Sequence, residues 1–158
     1  MSPYTKKSWR EKLADSKDFP RIEVITEKQS KRWGPGTVVV PAPAEVDEIM
    51  RMVPEGKLIT INDIRERLAR KHGATIGCPI TTGIFAAIAA RAADEEAKEG
   101  RKKITPYWRT LKRGGVINEK YPGGAAAQKK FLEKEGHKIV KKGKNFVVAE
   151  FEKHLWKA

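Results

Sequence analysis

Thr60-Ile61-Asn62-Asp63-Ile64 opens the stretch that decides the fold, and Thr81-Thr82-Gly83-Ile84-Phe85-Ala86-Ala87-Ile88 closes it. Thr60 and Asp63 have the spacing of a capping box, in which a hydroxyl and a carboxylate satisfy each other's first-turn amides. Ile61, Ile64 and Leu68 then recur at three and four residues. This predicts a helix to about His72, with Gly73 as its stop. Pro79 breaks the chain and threonine is a good cap, so a second helix is expected from about Thr81-Thr82 to near Gly100. Ile84, Phe85, Ile88 and Ala92 are its expected buried stripe, and the run of alanines lets a neighbour approach closely. Two helices joined by a short connection bearing glycine and proline fit a helix-turn-helix.

Upstream, Val46, Ile49, Met50 and Val53 repeat at helical spacing, and Pro54-Glu55-Gly56 ends that segment. Residues 1–43 read as a basic N-terminal arm ahead of a body at 44–158. The arm holds a short helix around Lys7–Ser16, a strand at Arg21–Ile25 and a β-prone Thr37–Val40 stopped by Pro41 and Pro43. Downstream, Ile104–Gly124 is irregular and unusually aromatic. Ala125–Glu135 is a helix, 137–140 and 145–148 pair as a hairpin across Lys141-Lys142-Gly143-Lys144, and Phe151–Trp156 is a short helix. The fold class is therefore α+β, mainly helical, a winged-helix-like helix-turn-helix domain with a C-terminal β-hairpin.

The 158 residues carry 33 Lys and Arg against 20 Asp and Glu, a net charge of +13. Such a field attracts phosphate backbones. The cations are grouped, as in Arg101-Lys102-Lys103 and in Arg109 with Lys112-Arg113, beside aromatic and glycine-rich segments. No helix sets a strongly basic face against a bulky apolar one, which argues against a membrane surface. One cysteine, Cys78, excludes an internal disulfide and any zinc site built on paired cysteines, and the 3 histidines lack ligand spacing. Met1–Arg10 has no apolar core of a signal peptide and no apolar run could span a bilayer. The expectation is a cytoplasmic monomer without metal or cofactor, whose partner is nucleic acid, more readily DNA than RNA, with repair proteins as further partners.

Four motifs in order give the body a family resemblance. They are Val53-Pro54-Glu55-Gly56-Lys57 through Ile64; Thr82-Gly83-Ile84-Phe85-Ala86-Ala87-Ile88; Ile104-Thr105-Pro106-Tyr107-Trp108-Arg109; and Gly115-Val116-Ile117 to Tyr121-Pro122-Gly123-Gly124, followed by Gln128, Leu132 and Glu135-Gly136-His137. From Val46 to His137 the chain resembles the DNA-binding and active-site domain of the alkylguanine DNA alkyltransferases. The second motif falls at their recognition helix and the third at their Pro-Cys-His-Arg. The resemblance implies binding to DNA and a pocket for a flipped-out base.

The departures remove the chemistry that the resemblance would imply. Tyr107 stands at the nucleophilic cysteine and Trp108 at the histidine that activates it. A phenol with a pKa near ~10 is a poor nucleophile at neutral pH. An indole offers only a donor and cannot act as a base. Ile61 replaces a tyrosine that helps rotate the target nucleotide, and Thr82 falls near an arginine that fills the vacated stack. The alkyltransferase-like subgroup also lacks the cysteine, but usually keeps the histidine, tyrosine and arginine.

The expectation is a non-catalytic DNA-binding protein that recognises a modified or flipped base in repair. Thr81, Thr82 and Gly83 at a helix N-terminus, with Arg109, Lys112 and Arg113, would contact DNA. Tyr107, Trp108, Tyr121, Gly123 and Gly124 would form the base pocket, by stacking or by close backbone approach. Two alternatives stay open. One is a DNA glycosylase in which Glu135 or Asp63 activates water. The other is an interaction module that has lost base recognition and uses its charge on RNA or an acidic protein.

Overall fold

The computed structural model describes residues 8–16 and 18–157. The Lys7 end of the expected first helix lies outside the described residues. Six α-helices appear in the order α1 (Trp9–Ala14), α2 (Glu27–Trp33), α3 (Pro43–Met52), α4 (Ile61–His72), α5 (Pro79–Lys98) and α6 (Gly124–Lys134) among the described residues. The strands are β1 (Arg21–Val24), β2 (Thr37–Val40), β3 (Ile59–Thr60), β4 (Ile76–Gly77), β5 (Thr110–Leu111), β6 (Ile139–Lys142) and β7 (Asn145–Val148). The class is α+β and mainly helical, with the hairpin at the C-terminal end. No helix of the described residues is long and apolar enough to cross a membrane.

The main core lies between α3, α4 and α5. Thr60 Oγ1 accepts from the Asp63 amide and Asp63 Oδ2 accepts from the Thr60 amide, both at 3.2 Å, so the box that starts α4 is made as read. Val46, Ile49 and Met50 of α3 meet Ile64 and Leu68 of α4 over Phe85, Ala86, Ala89, Ala90 and Ala93 of α5. Phe85 and Ala92 of the expected stripe are buried and Ile88 packs partly buried against the core, but Ile84 is 52% exposed and alanines make up most of the buried side. The expected stripe is corrected at Ile84. A helix that is apolar nearly all round gives mostly small residues to the face where α3 and α1 press closest and leaves Ile80 and Ile84 outward.

The α4–α5 connection is built into a sheet. The order is β1-β2-β4, with β1 antiparallel to β2 and β2 parallel to β4. Val39 pairs with Gly77, so the N-terminal segment is hydrogen-bonded to the link between the two helices. Leu13, Phe19 and Val39 also join the main core. Cys78 packs beside Ile25, Val38 and Val40, as a small apolar residue should. The helix after it begins at Pro79, earlier than the threonines implied. Proline suits the first helical position because its missing N–H would have no partner there.

A second core joins Leu58, Leu111, Ile117, Leu132 and Val148 under the hairpin and α6. Ile104–Gly124 is less irregular than expected, since it holds 3₁₀ turns at Tyr107–Arg109 and Arg113–Gly115 and pairs β5 with β3 in parallel. The expected C-terminal helix is a 3₁₀ turn at Phe151–His154 only. Beyond it the chain is drawn out along Leu58, whose amide donates to His154 O at 2.9 Å and whose carbonyl accepts from the Trp156 amide at 2.8 Å. That crossing also covers His137, which is 6% exposed. Its ring lies 4.9 Å from that of His154. Asp47 sits inside α3, accepting from the Thr105 hydroxyl at 2.6 Å and from Arg51 at 2.8 Å.

Gly77 sets how closely the link can lie on α4. A Cβ there would come 2.6 Å from the Arg65 carbonyl oxygen and 2.9 Å from the Arg65 Cα. Backbone cannot yield as a side-chain tip can, so Gly77→Ala is expected to destabilise by about 1–3 kcal/mol. A thermal or urea unfolding comparison measures it.

Candidate nucleic-acid interface

Two places gather the residues of interest. One is the aromatic segment against α6, and the other is the outer face of α5.

In the first, Tyr107 meets the rings of Trp108 at 5.3 Å, Tyr121 at 5.7 Å and Phe131 at 6.2 Å, each edge to face. Trp108 stacks on Phe131 at 4.4 Å and 16°. Tyr107 is 4% and Tyr121 2% exposed. The structure thus brings three of the expected base-pocket residues together, but as a plug in which they fill one another's space. Gly123 and Gly124 have φ of +80° and +71° and form the entry to α6, where a Cβ on Gly123 would meet Ala127 at 2.5 Å. They serve a turn that needs left-handed backbone. Burial, with a smaller contribution from Asp94, pushes the Tyr107 phenol up to about 12, so it stays protonated at neutral pH. Burial raises Tyr121 further still.

Glu135, at the C-terminal end of α6, is the polar hub behind this plug. Its carboxylate accepts from Trp108 Nε1 at 2.7 Å, from Arg109 Nη2 at 2.8 Å and Nε at 2.9 Å, and from the Gly56 amide at 3.1 Å. Arg109 Nη1 also donates to the Val53 carbonyl at 2.7 Å. Burial raises the Glu135 carboxyl, but hydrogen bonds from Arg109, Trp108 and the Gly56 amide, with the nearby guanidinium charge, outweigh it and hold the group below its ordinary value. Arg109 therefore points inward at a carboxylate, not outward at a phosphate.

The second place is a groove of about 530 Å³ along the first half of α5, lined by Gly83, Ile84, Ala87 and Arg91 with Ile61 and Trp9 at its sides. Ile80 and Ile84 stand on its floor at 59% and 52% exposure. Lys12, Arg91, Lys112 and Lys120 ring it. Arg91 is steadied by a 3.2 Å hydrogen bond to the Lys120 carbonyl and by the Trp9 ring, 4.9 Å away. Lys12 Nζ also lies over that indole, 4.1 Å from its centre. Of the six expected DNA contacts, Gly83 and Lys112 line this groove and Arg113 is exposed on the same loop as Lys112. Thr82 is fully buried and the Thr81 hydroxyl is also shielded, each without a hydrogen-bond partner among the described residues. Because α5 starts at Pro79, these hydroxyls lie within its first turns and not at its tip.

Lys12, Ile80, Ile84, Arg91 and Lys120 were not among the expected contacts. A signal for part of the set was present. Ile80, Gly83, Ile84, Ala87 and Arg91 repeat at three and four, a second stripe opposite the alanines. Lys12 and Lys120 reach the groove through tertiary packing alone.

No protein-family model and no curated protein sequence matches the chain. Two solved structures from S. pombe are similar in fold. One is Atl1 in complex with damaged DNA containing O6-carboxymethylguanine, at 20% identity over 73% of this chain and 94% of that one, with a TM-score of 0.48. The other is ATL in complex with DNA, at 20% identity over the same shares, with a TM-score of 0.47.

Glu135→Gln leaves the Arg109 guanidinium buried without its counter-charge, and the expected loss is about 3 kcal/mol. For a chain of this size that is roughly 6–12 °C in Tm. Because the folded carboxyl titrates below its unfolded value, the wild-type advantage is full above about pH 4.3 and shrinks as pH falls through the lowered folded pKa. Melting curves of both proteins from neutral to acid pH check the sign.

Proposed function

We propose that the protein is a non-catalytic binder of double-stranded DNA, and that it applies the outer face of α5 to a groove of the duplex. In this reading α4 and α5 act as a helix-turn-helix. The observation that carries it is the pairing of an exposed isoleucine stripe with a cationic rim on one helix. Apolar side chains on their own would suit a protein partner. Lys12, Arg91, Lys112 and Lys120 around them suit the phosphates on either side of a groove into which Ile80 and Ile84 insert. From Ile80 to Arg91 the helix rises about 16 Å, the length of about five base pairs. Gly83 and Ala87 keep the stripe low enough for close approach.

Catalysis has no support in the aromatic segment. Tyr107 is held protonated, and Trp108 cannot take a proton. A glycosylase would need Glu135 free to bind a water, and both of its oxygens are occupied by Arg109, Trp108 and Gly56. Asp63 is spent on the Thr60 cap. With Tyr107 and Tyr121 packed into each other, reading an extruded base would require the plug to open. The reading preferred here is of the groove and its deformability, in which step-wise unstacking by an isoleucine favours flexible or weakened base steps.

Titration of labelled duplexes against salt tests this. Four or so phosphate contacts give a slope of log affinity on log salt of about −4. Ile84→Glu is expected to weaken binding by at least ~10-fold without loss of stability, since the site is on the surface. Lys112→Ala should reduce the salt slope by about one. Unchanged affinity in Ile84→Glu would remove α5 from the interface. Strand scission after hot alkali would revive the glycosylase.

A further inference from the structure

We propose that the cleft between α3 and the segment after α5 is a docking site for an acidic stretch of a partner protein that carries one bulky apolar residue. The cleft measures about 380 Å³ and is lined by Arg51, Lys102, Lys103, Ile104, Trp108 and Arg109, with Pro106 at its base. Arg51 and Arg109 are already paired, with Asp47 and Glu135, at 2.8 Å each. Lys102 and Lys103 are exposed and have no hydrogen-bond or ion-pair partner among the described residues. They supply the uncompensated charge, while Ile104 and the free edge of Trp108 supply an apolar wall beside it.

This surface is separate from the α5 groove. The two share no lining residue. Helix α1 walls the α5 groove with Trp9 and Lys12 and is tied to α5 where the Trp9 and Arg10 amides donate to Glu95 at 3.2 and 3.0 Å. A polynucleotide fits the cleft poorly for two reasons. Asp94, Glu95, Glu96 and Glu99 sit at the end of α5 next to Lys102, with Glu96 3.8 Å from Arg101, so an anionic strand running on along α5 meets carboxylates. Single strands are held by stacking on open aromatic faces. One face of Trp108 is covered by Phe131, and the Arg109 guanidinium lies 5.6 Å over the ring. A short acidic peptide needs neither a long track nor a stacking platform. Its carboxylates meet Lys102 and Lys103, and its apolar side chain meets Ile104 and Trp108.

The test uses the full chain and a fluorescein-labelled peptide of one phenylalanine between two runs of glutamates, read by anisotropy at roughly 50 mM salt. Lys102→Ala with Lys103→Ala is expected to weaken the peptide by about tenfold. Lys141→Ala with Lys142→Ala removes the same charge from the distant hairpin and should change it by less than about twofold. Replacing the phenylalanine of the peptide by serine should weaken binding by about fivefold or more. Equal losses in the two lysine pairs would overturn the proposal, because the peptide would then feel only the overall field. A serine peptide that binds as well, or no peptide binding at all, would do the same. So would a duplex whose affinity falls as far as the peptide's in the Lys102/Lys103 variant, since the cleft would then belong to a nucleic-acid surface. Loss of the α5 reading leaves these outcomes unaffected.

Discussion

The carboxylate of Glu135 is the point on which the second half of the molecule depends. It holds four donors from three residues in two separate parts of the chain: Trp108 and Arg109, and the Gly56 amide. A buried charge is tolerable only when it is paired and hydrogen-bonded, and this one is both. Through it the C-terminal end of α6, the turn before β3 and the aromatic segment are fixed together. Gln128 works alongside, accepting from the Asn118 amide at 2.8 Å and donating to the Trp108 carbonyl at 3.1 Å. The polar groups of an otherwise irregular loop are thereby satisfied inside the protein.

The same arrangement explains why the loop is a poor place for chemistry. A general base needs an open lone pair, and an activated nucleophile needs a lowered pKa. Glu135 has neither oxygen free, and burial moves Tyr107 the wrong way. The aromatic rings pack against one another where the family resemblance implies a pocket. The two surfaces proposed for partners lie outside this plug: the isoleucine stripe of α5 with its cationic rim, and the lysine-bearing cleft behind Trp108.

Much of this was legible in the sequence. Thr60 and Asp63 announced the start of α4, Gly73 its stop, and the lysine-rich turn of residues 141–144 the hairpin, because caps and turns are local chemistry. Glu135, which the sequence offers as a carboxylate that could activate water, instead accepts the indole N–H of Trp108 at 2.7 Å. On α5 the expected stripe holds at Phe85 and Ala92 and in part at Ile88 but not at Ile84, because close helix packing selects alanine and leaves Ile80 and Ile84 outside. Arg109 stands among the expected DNA contacts, but its carboxylate partner lies 26 residues away, beyond what local spacing can identify. The pairing of β2 with β4 and the delivery of Lys12 to the α5 groove are products of long-range topology, which periodicity does not encode.

The central claim is that the exposed face of α5 meets the duplex. Amide hydrogen exchange of the full chain, with and without a plain DNA duplex at low salt, tests it most directly. The account predicts added protection concentrated in Ile80–Arg91 and in the Lys112–Lys120 loop, with β6 and β7 unchanged. Protection confined to the hairpin or to Lys102–Arg109, with α5 exchanging as in the free protein, would contradict it.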